Sequence, residues 1–249
     1  TVYIDNEFVG SDERLSVPNR FDVSKYMTPG LHVITICVDN RLKYPMDQWN
    51  HGTTEYTQTN WNGIVGDLKL EAYPDYAIRN VRVDTDIDNK MVAVKINTEK
   101  MEDVSGNISF NVKDQSGKIV GKSSSEITLK DNEIVSEFPI KSKIELWDEF
   151  NPYLYTLESY LEIDGKTYAD TLSFGFRKVE QGKHHIRLNN RNIHLRGVLD
   201  CAVFPKTGYP ATDVESWMKI FKTVKEYGMN HVRFQSWCPP EAAFCAADK

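Results

Sequence analysis

The sequence predicts a mainly β protein that ends in a short α/β segment. Apolar and polar residues alternate in short runs over most of the 249 residues, which is the pattern of half-buried strands. After residue 178 the order becomes strand, helix, strand, helix, and this indicates parallel βαβ units. Hydrophobic residues make up 40% of the chain and charged residues 27%, as in an ordinary globular protein with its own core.

The first part of the chain, residues 1–75, is predicted to be rich in strands. Residues 2–4 and 67–72 alternate, and 31–38 form an apolar run with many β-branched side chains. Residues 51–63 are polar without periodicity and predict a long surface loop. Because these few strands would not close a sandwich, we expect this part of the chain to be incomplete.

The middle part, residues 76–177, predicts a β-sandwich. Turn residues separate its alternating runs, and about seven strands in about 100 residues are typical of an immunoglobulin-like sandwich. This segment contains no cysteine, so its apolar core must hold it together. The predicted strands lie at 78–84, 91–96, 108–112, 123–129, 134–138, 155–163 and 168–174.

The last part, residues 178–249, contains a well-marked helix. Thr212 is the predicted N-cap, Glu215 completes a capping box, and Gly228 is placed to end the helix. A hairpin is expected around residue 190 and a second helix from residue 241. Such a segment is far shorter than the ~250 residues of a (β/α)₈ barrel, so we expect it to be truncated.

Composition excludes several classes of function. The formal net charge is −6 with no basic stripe, so nucleic acid is not an expected partner. No apolar run approaches the roughly 18 residues of a membrane span. The four cysteines form no CxxC pair, which disfavours a zinc site, and they are too few for a disulfide scaffold. No cofactor or metal is implied.

Four stretches, in order along the chain, carry a resemblance to a known family. They are FDV at 21–23 with VDNR at 38–41; WNGI at 61–64; LW at 146–147 with NPYLYTL at 151–157 and FGFR at 174–177; and LRGV at 195–198 with NHVR at 230–233. Together they resemble glycoside hydrolase family 2, the family of β-galactosidases, β-glucuronidases and β-mannosidases. The stretches LDCA at 199–202 and QSWCPP at 235–240 depart from the family pattern, so a galactosidase pocket is not reproduced.

The resemblance implies three domains and a carbohydrate substrate. Residues 1–75 would be the C-terminal part of a jelly-roll sugar-binding domain, 76–177 the immunoglobulin-like sandwich, and 178–249 the first βα units of a truncated TIM (β/α)₈ barrel. A retaining glycosidase needs two carboxyl groups about 5–5.5 Å apart. The resemblance places both glutamates beyond Lys249, so we expect no catalytic residue in this chain and no activity from it alone.

Four residues are candidates for binding substrate or supporting the site. Arg233 would hold a nucleophilic carboxylate ionised, or form a structural ion pair. Arg196 is expected to end the first parallel strand, as Arg233 ends the second, and the glycine directly after Arg196 favours a structural role. Trp237 would stack on a sugar ring or anchor a loop. Asp200 would contact substrate; its use with Glu241 as a catalytic pair is disfavoured, since Glu241 suits a helix N-terminus.

A rival interpretation from another class is a non-catalytic carbohydrate-binding or interaction module, for which stacked β domains would suffice. The polar loop 53–61 suits sugar hydroxyls but equally suits solvent. The βαβ pattern after residue 190 favours the glycosidase, because a binding module has no need of it.

Overall fold

The computed structural model describes residues 1–14, 17–41, 43–73, 78–98, 104–129 and 133–249. It is mainly β, as predicted, and the chain divides into two compact units. One unit combines residues 1–69 with 195–249, and the other comprises residues 70–194. The predicted domain boundary between residues 75 and 76 lies outside the described residues.

The N-terminal sheet of the first unit has three antiparallel strands: β1 (Val2–Ile4), β2 (Glu7–Gly10) and β3 (Ile34–Ile36), in the order β2-β1-β3. Asp5 and Asn6 make the β1–β2 turn with positive φ angles of 49° and 70°. The predicted strand at 31–38 is wrong in length, because β3 can pair only along the three residues of β1. Residues 67–72, also predicted to alternate as a strand, form none.

His32 connects the turn after β1 to the segment that leads into β3. Its Nδ1 lies 2.6 Å from the Asp5 carboxylate and its Nε2 lies 2.7 Å from the carbonyl oxygen of Thr28. Asp5 also accepts the backbone N–H of Val33, at the entry to β3. Since both ring nitrogens of His32 face hydrogen-bond acceptors, the doubly protonated imidazolium satisfies both contacts.

The second unit contains the predicted two-sheet sandwich. All seven predicted strands are confirmed, and they form one sheet in the order β4-β5-β8 and another in the order β10-β9-β6-β7. Their bounds are β4 (Arg79–Asp86), β5 (Met91–Asn97), β6 (Val104–Lys113), β7 (Ile119–Leu129), β8 (Glu133–Pro139), β9 (Tyr155–Ile163) and β10 (Lys166–Phe174).

The sandwich core is built by alternation of buried and exposed side chains, which is most regular in β9. In β9, every second side chain from Tyr155 to Ile163 is buried. Phe110 on β6 stacks on Phe138 of β8 with ring centroids 6.0 Å apart, which joins the two sheets through one apolar layer. Alternation of period two places one face of each strand in this layer and the other toward solvent.

The motif at 174–177 closes the sandwich around Trp147. A Cβ atom on Gly175 would lie 2.7 Å from the Cβ of Trp147, so only glycine fits there. The guanidinium of Arg177 lies 5.0 Å from the centroid of the Trp147 ring, in cation–π distance. Trp147 donates its backbone N–H to the carbonyl oxygen of Phe176. The motif at 174–177 therefore packs around Trp147, which is half-buried rather than deep in the core.

A second small sheet follows, with β11 (Val179–Gln181), β12 (Ile186–Leu188) and β13 (Arg191–Asn192) in antiparallel order. The predicted hairpin around residue 190 is confirmed. Its second strand is only two residues long, since pairing stops at Asn192.

The last segment of the first unit is a βαβ unit with one further helix. It comprises β14 (Gly197–Asp200), α1 (Val214–Glu226), β15 (His231–Phe234) and α2 (Glu241–Ala247), and β14 pairs with β15 in parallel. No helix in the described ranges is long and apolar enough to cross a membrane. The continuation into a barrel stays a prediction.

The N-cap of α1 is Asp213, and the prediction of Thr212 was wrong. The Asp213 carboxylate accepts the backbone N–H and the hydroxyl of Ser216, and these bonds lower its pKa. Asp reaches both donors, so it outcompetes the neighbouring threonine. Trp217, on the apolar face of α1, is fully buried.

Candidate functional site

Both parallel strands of the first unit end in a strained turn. Ala202 follows β14 and Ser236 follows β15, each with a positive φ of 55°. Non-glycine residues in this region are uncommon, cost free energy, and cluster at functional sites. Asp200, the last residue of β14, holds the first turn: its carboxylate accepts the Ala202 N–H at 2.8 Å, and its carbonyl accepts the N–H of Gln235 at 2.9 Å. The two strand ends are therefore fastened to each other.

Trp237 is the centre of an aromatic group at these strand ends. Its ring centroid lies 5.3 Å from that of Phe234, 5.7 Å from Phe204, 6.0 Å from Trp61 and 6.4 Å from Trp217. Its indole N–H donates to the carbonyl oxygen of Asp200 at 3.3 Å. We call these five aromatic residues the tryptophan cluster. Trp217 is buried, whereas the other four keep part of their surface exposed.

Trp61 reaches the cluster from the polar loop 51–61. Its backbone N–H donates to the carbonyl oxygen of Gly52 at 3.4 Å, and Gly52 has a positive φ of 81°. A Cβ atom at Gly52 would lie 2.7 Å from Cη2 of the Trp61 ring, so the indole lies directly on this glycine. Thr59 donates its hydroxyl to the carbonyl oxygen of Ala202. The loop is thus attached to the turn that follows β14.

The loop has a packed interior. Thr54 is buried and donates its hydroxyl to the carbonyl oxygens of Gln48 and Asn50. His51 is 7% exposed, and its Nδ1 has no hydrogen-bond partner within the described part of the chain. A solvated surface loop would bury neither side chain, so the loop is an ordered wall beside the cluster.

The four candidate residues fall in three places. Asp200 and Trp237 meet at the strand ends. Asp200 is paired with Phe234 and so shares its face of the sheet, which packs on α1 through Trp217. Arg233, one residue earlier, lies on the opposite face; it is exposed and forms no hydrogen bond or ion pair with the residues described.

Arg196 is separated from the other three. Its predicted position at the end of the first parallel strand was wrong, because β14 begins only at Gly197 and Arg196 precedes it. Its Nε donates to the carbonyl oxygen of Gly228 at 2.7 Å, and its backbone N–H donates to Asn230 Oδ1 at 2.8 Å. These bonds tie the start of β14 to the turn between α1 and β15, at the edge of the sheet away from the tryptophan cluster.

Sequence reasoning did not single out two members of the cluster. Trp61 was noted in WNGI at 61–64 and as the last residue of the polar loop 53–61, but not as a partner of Trp237, and Phe204 carried no motif. Their contacts with Trp237 join distant parts of the chain, which leaves no local signal. Among the residues described, no group of three or more His, Cys, Asp or Glu side chains is arranged to hold a metal ion.

Comparison with known proteins finds a family match for the sandwich and relatives for most of the chain. The model of the glycosyl hydrolases family 2 matches residues 76–177, the seven-stranded sandwich. This segment therefore matches glycosyl hydrolases family 2, and the whole chain is similar in sequence to β-galactosidases. A β-galactosidase of Oenococcus oeni is 27% identical over 93% of the chain, and one of Thermoanaerobacterium thermosulfurigenes is 28% identical over 93%. The chain spans 23% and 33% of the length of these two relatives.

Solved family 2 structures share the fold. A family 2 glycosyl hydrolase of Bacteroides cellulosilyticus aligns with 99% of the chain at a TM-score of 0.74 and 17% identity. A β-glucuronidase of Bacteroides uniformis aligns with 100% of the chain at a TM-score of 0.76 and 19% identity. The chain covers 34% and 31% of these two proteins.

Proposed function

We propose that this chain is part of a retaining, exo-acting glycoside hydrolase that cleaves O-glycosidic bonds in carbohydrates. The observation that carries the proposal is the tryptophan cluster at the carboxyl ends of β14 and β15, in a chain with a family 2 sandwich. Active sites of parallel βα folds form at the carboxyl ends of the strands. We propose the same three-part division as above, with 178–249 as the start of a (β/α)₈ barrel.

In this proposal the cluster supplies a sugar-binding wall. Trp237 and Trp61 each keep part of an indole exposed, and an aromatic face stacks on the apolar face of a sugar ring. Asp200 holds the turn below Trp237 and accepts its indole N–H through the backbone, so it positions the platform.

Arg233 acts on the other face of β15, toward the barrel interior. An unpaired guanidinium there stabilises the ionised form of a nucleophilic carboxylate supplied by the rest of the enzyme. The catalytic carboxyl pair of a retaining mechanism lies outside this chain, so the chain by itself is inert. Asp200 and Glu241 do not replace that pair, since Asp200 is engaged in a turn and Glu241 begins α2.

The test compares Trp237→Ala with Trp147→Ala in the complete protein that contains this chain. Loss of a stacking platform raises KM for a nitrophenyl glycoside by about 2- to 10-fold, since an aromatic contact contributes about 0.5–1.5 kcal/mol. Trp147 lies in the sandwich, so its variant should keep the wild-type KM after correction for folded protein. Equal KM values for both variants would remove Trp237 from the site. Carbohydrate binding without any hydrolysis would instead favour the non-catalytic module.

A further inference from the structure

The second unit carries a basic groove that the proposed glycosidase site does not use. It has a volume of about 310 Å³ and lies at the hairpin loop between β11 and β12. Its lining side chains are hydrogen-bond donors, four of them basic, and include no carboxylate. The residues that line it are Gly182, Lys183, His184, His185, Arg187 and Asn192.

The hairpin gathers these side chains by its tight geometry. Gln181 pairs with Ile186, so only four residues make the loop, and Gly182 donates its N–H to the carbonyl oxygen of His185 at 2.8 Å. A Cβ atom on Gly182 would lie 2.7 Å from that oxygen and 3.4 Å from Cδ of Arg187. Glycine thus lets the loop close directly over the arginine stem.

Arg187 is held in place and forms no ion pair with the residues that the structure describes. Arg187 is half-buried, and its Nη2 donates to the carbonyl oxygen of Asn190 at 2.7 Å, which leaves other guanidinium N–H groups for a ligand. Glu180 on β11 lies directly opposite Arg187 in the strand pairing, but it forms its ion pair with Lys178, at 3.1 Å. Asn192, the cross-strand partner of Arg187, adds an amide that both donates and accepts.

We propose that the basic groove binds the anionic group of a carbohydrate, a uronate carboxylate or a sulfate ester. A planar guanidinium with lysine beside it matches the oxygens of either anion, and the Asn192 amide matches a neighbouring hydroxyl. None of the residues that line the groove is Phe, Tyr or Trp, the larger rings on which bases stack, and this disfavours single-stranded nucleic acid. This inference does not depend on the proposed glycosidase activity.

The net charge of −6 makes the proposal testable, because an acidic chain repels polyanions except at a local basic site. The intact chain is titrated calorimetrically at low salt with polygalacturonate, dextran sulfate and neutral dextran. We expect one or both anionic polymers to bind and neutral dextran not to bind; which anion binds identifies the source of the charge. Inorganic sulfate should compete.

Matched variants locate the binding. Lys183→Gln should weaken binding about threefold and Lys183→Gln with Arg187→Gln at least about tenfold, since each removes a charge-assisted contact. Lys118→Gln, at an exposed turn elsewhere in this unit, should bind as the wild type. Circular dichroism checks that the variants fold. If the double variant does not fold, Lys183→Gln alone still tests the proposal. The proposal is wrong if no anionic polymer binds, if dextran binds equally, if an oligonucleotide binds more tightly, or if Lys183→Gln binds unchanged.

Discussion

Replacing Gly52 by alanine should displace Trp61 from the tryptophan cluster. The new Cβ would lie 2.7, 2.8 and 3.2 Å from three carbon atoms of the indole ring, distances that a folded protein does not tolerate. Gly52 also has a φ of 81°, a region that alanine adopts only with strain. Two separate penalties therefore act at one position, and a control can separate them.

The control is Gly63→Ala. Gly63 has a φ of 91°, yet a Cβ there would meet no atom within 4 Å. Alanine in the left-handed region costs about 1–2 kcal/mol of unfolding free energy, so both variants should lose that amount. Gly52→Ala should lose a further ~1–3 kcal/mol, because the two aromatic contacts of Trp61, with Phe204 and Trp237, contribute about 0.5–1.5 kcal/mol each.

The assay is urea unfolding of the intact chain, followed by tryptophan fluorescence and by near-ultraviolet circular dichroism. Gly52→Ala should shift the midpoint further than Gly63→Ala and should alter the near-ultraviolet spectrum of the folded state, which reports the packing of indole rings. Equal midpoints and unchanged spectra in the two variants would refute the contact between loop 51–61 and the cluster.

Three further predictions follow from named contacts. Arg233→Ala should change the melting temperature of the chain by no more than about 2 °C, because an exposed side chain without a described partner contributes under about 0.5 kcal/mol. The same substitution should lower kcat of the complete enzyme on the order of 10²-fold. A large change in melting temperature with normal turnover would show that the arginine is structural. The hydrogen bond to Asp5 and the carbonyl of Thr28 raise the pKa of His32 above 6.5, so the stabilisation of the fold by His32 is complete below pH 6.5 and is lost as pH rises through the raised pKa. Urea unfolding at several pH values should show this loss of unfolding free energy in the wild type and not in His32→Gln. The same dependence of unfolding free energy on pH in both proteins would contradict the prediction. The excised segment 76–177 should unfold cooperatively on heating, since it holds both sheets of the sandwich; a broad, non-cooperative transition would show that it needs its neighbours.

The sandwich could be predicted from the sequence because its strands carry their own signal. In β9 the alternation of apolar residues matches the alternation of buried side chains from Tyr155 to Ile163. Similar alternation at 67–72 produced no strand, and Leu68 and Leu70 are exposed. Alternation is therefore sufficient only where a partner strand exists, and that depends on parts of the chain far away in sequence.

The candidate site could be predicted only in part. Asp200 ends one parallel strand and Trp237 comes shortly after the other, so their place at the strand ends could be expected. The attachment of Thr59 to Ala202 joins residues 143 positions apart and has no local pattern. Arg196 was misplaced because the stretch LRGV at 195–198 resembled a barrel strand that starts earlier, whereas pairing with His231 starts β14 at Gly197.

The most direct test of the account is a parallel assay of this chain and of the complete protein that contains it. Both are incubated with nitrophenyl β-galactoside, β-glucuronide and β-mannoside, and the anomer first released is identified by NMR. The account predicts that the complete protein cleaves at least one substrate with retention of configuration and that the chain alone cleaves none. Turnover by the chain alone that scales with its concentration and is lost in Asp200→Asn or Glu241→Gln would contradict it.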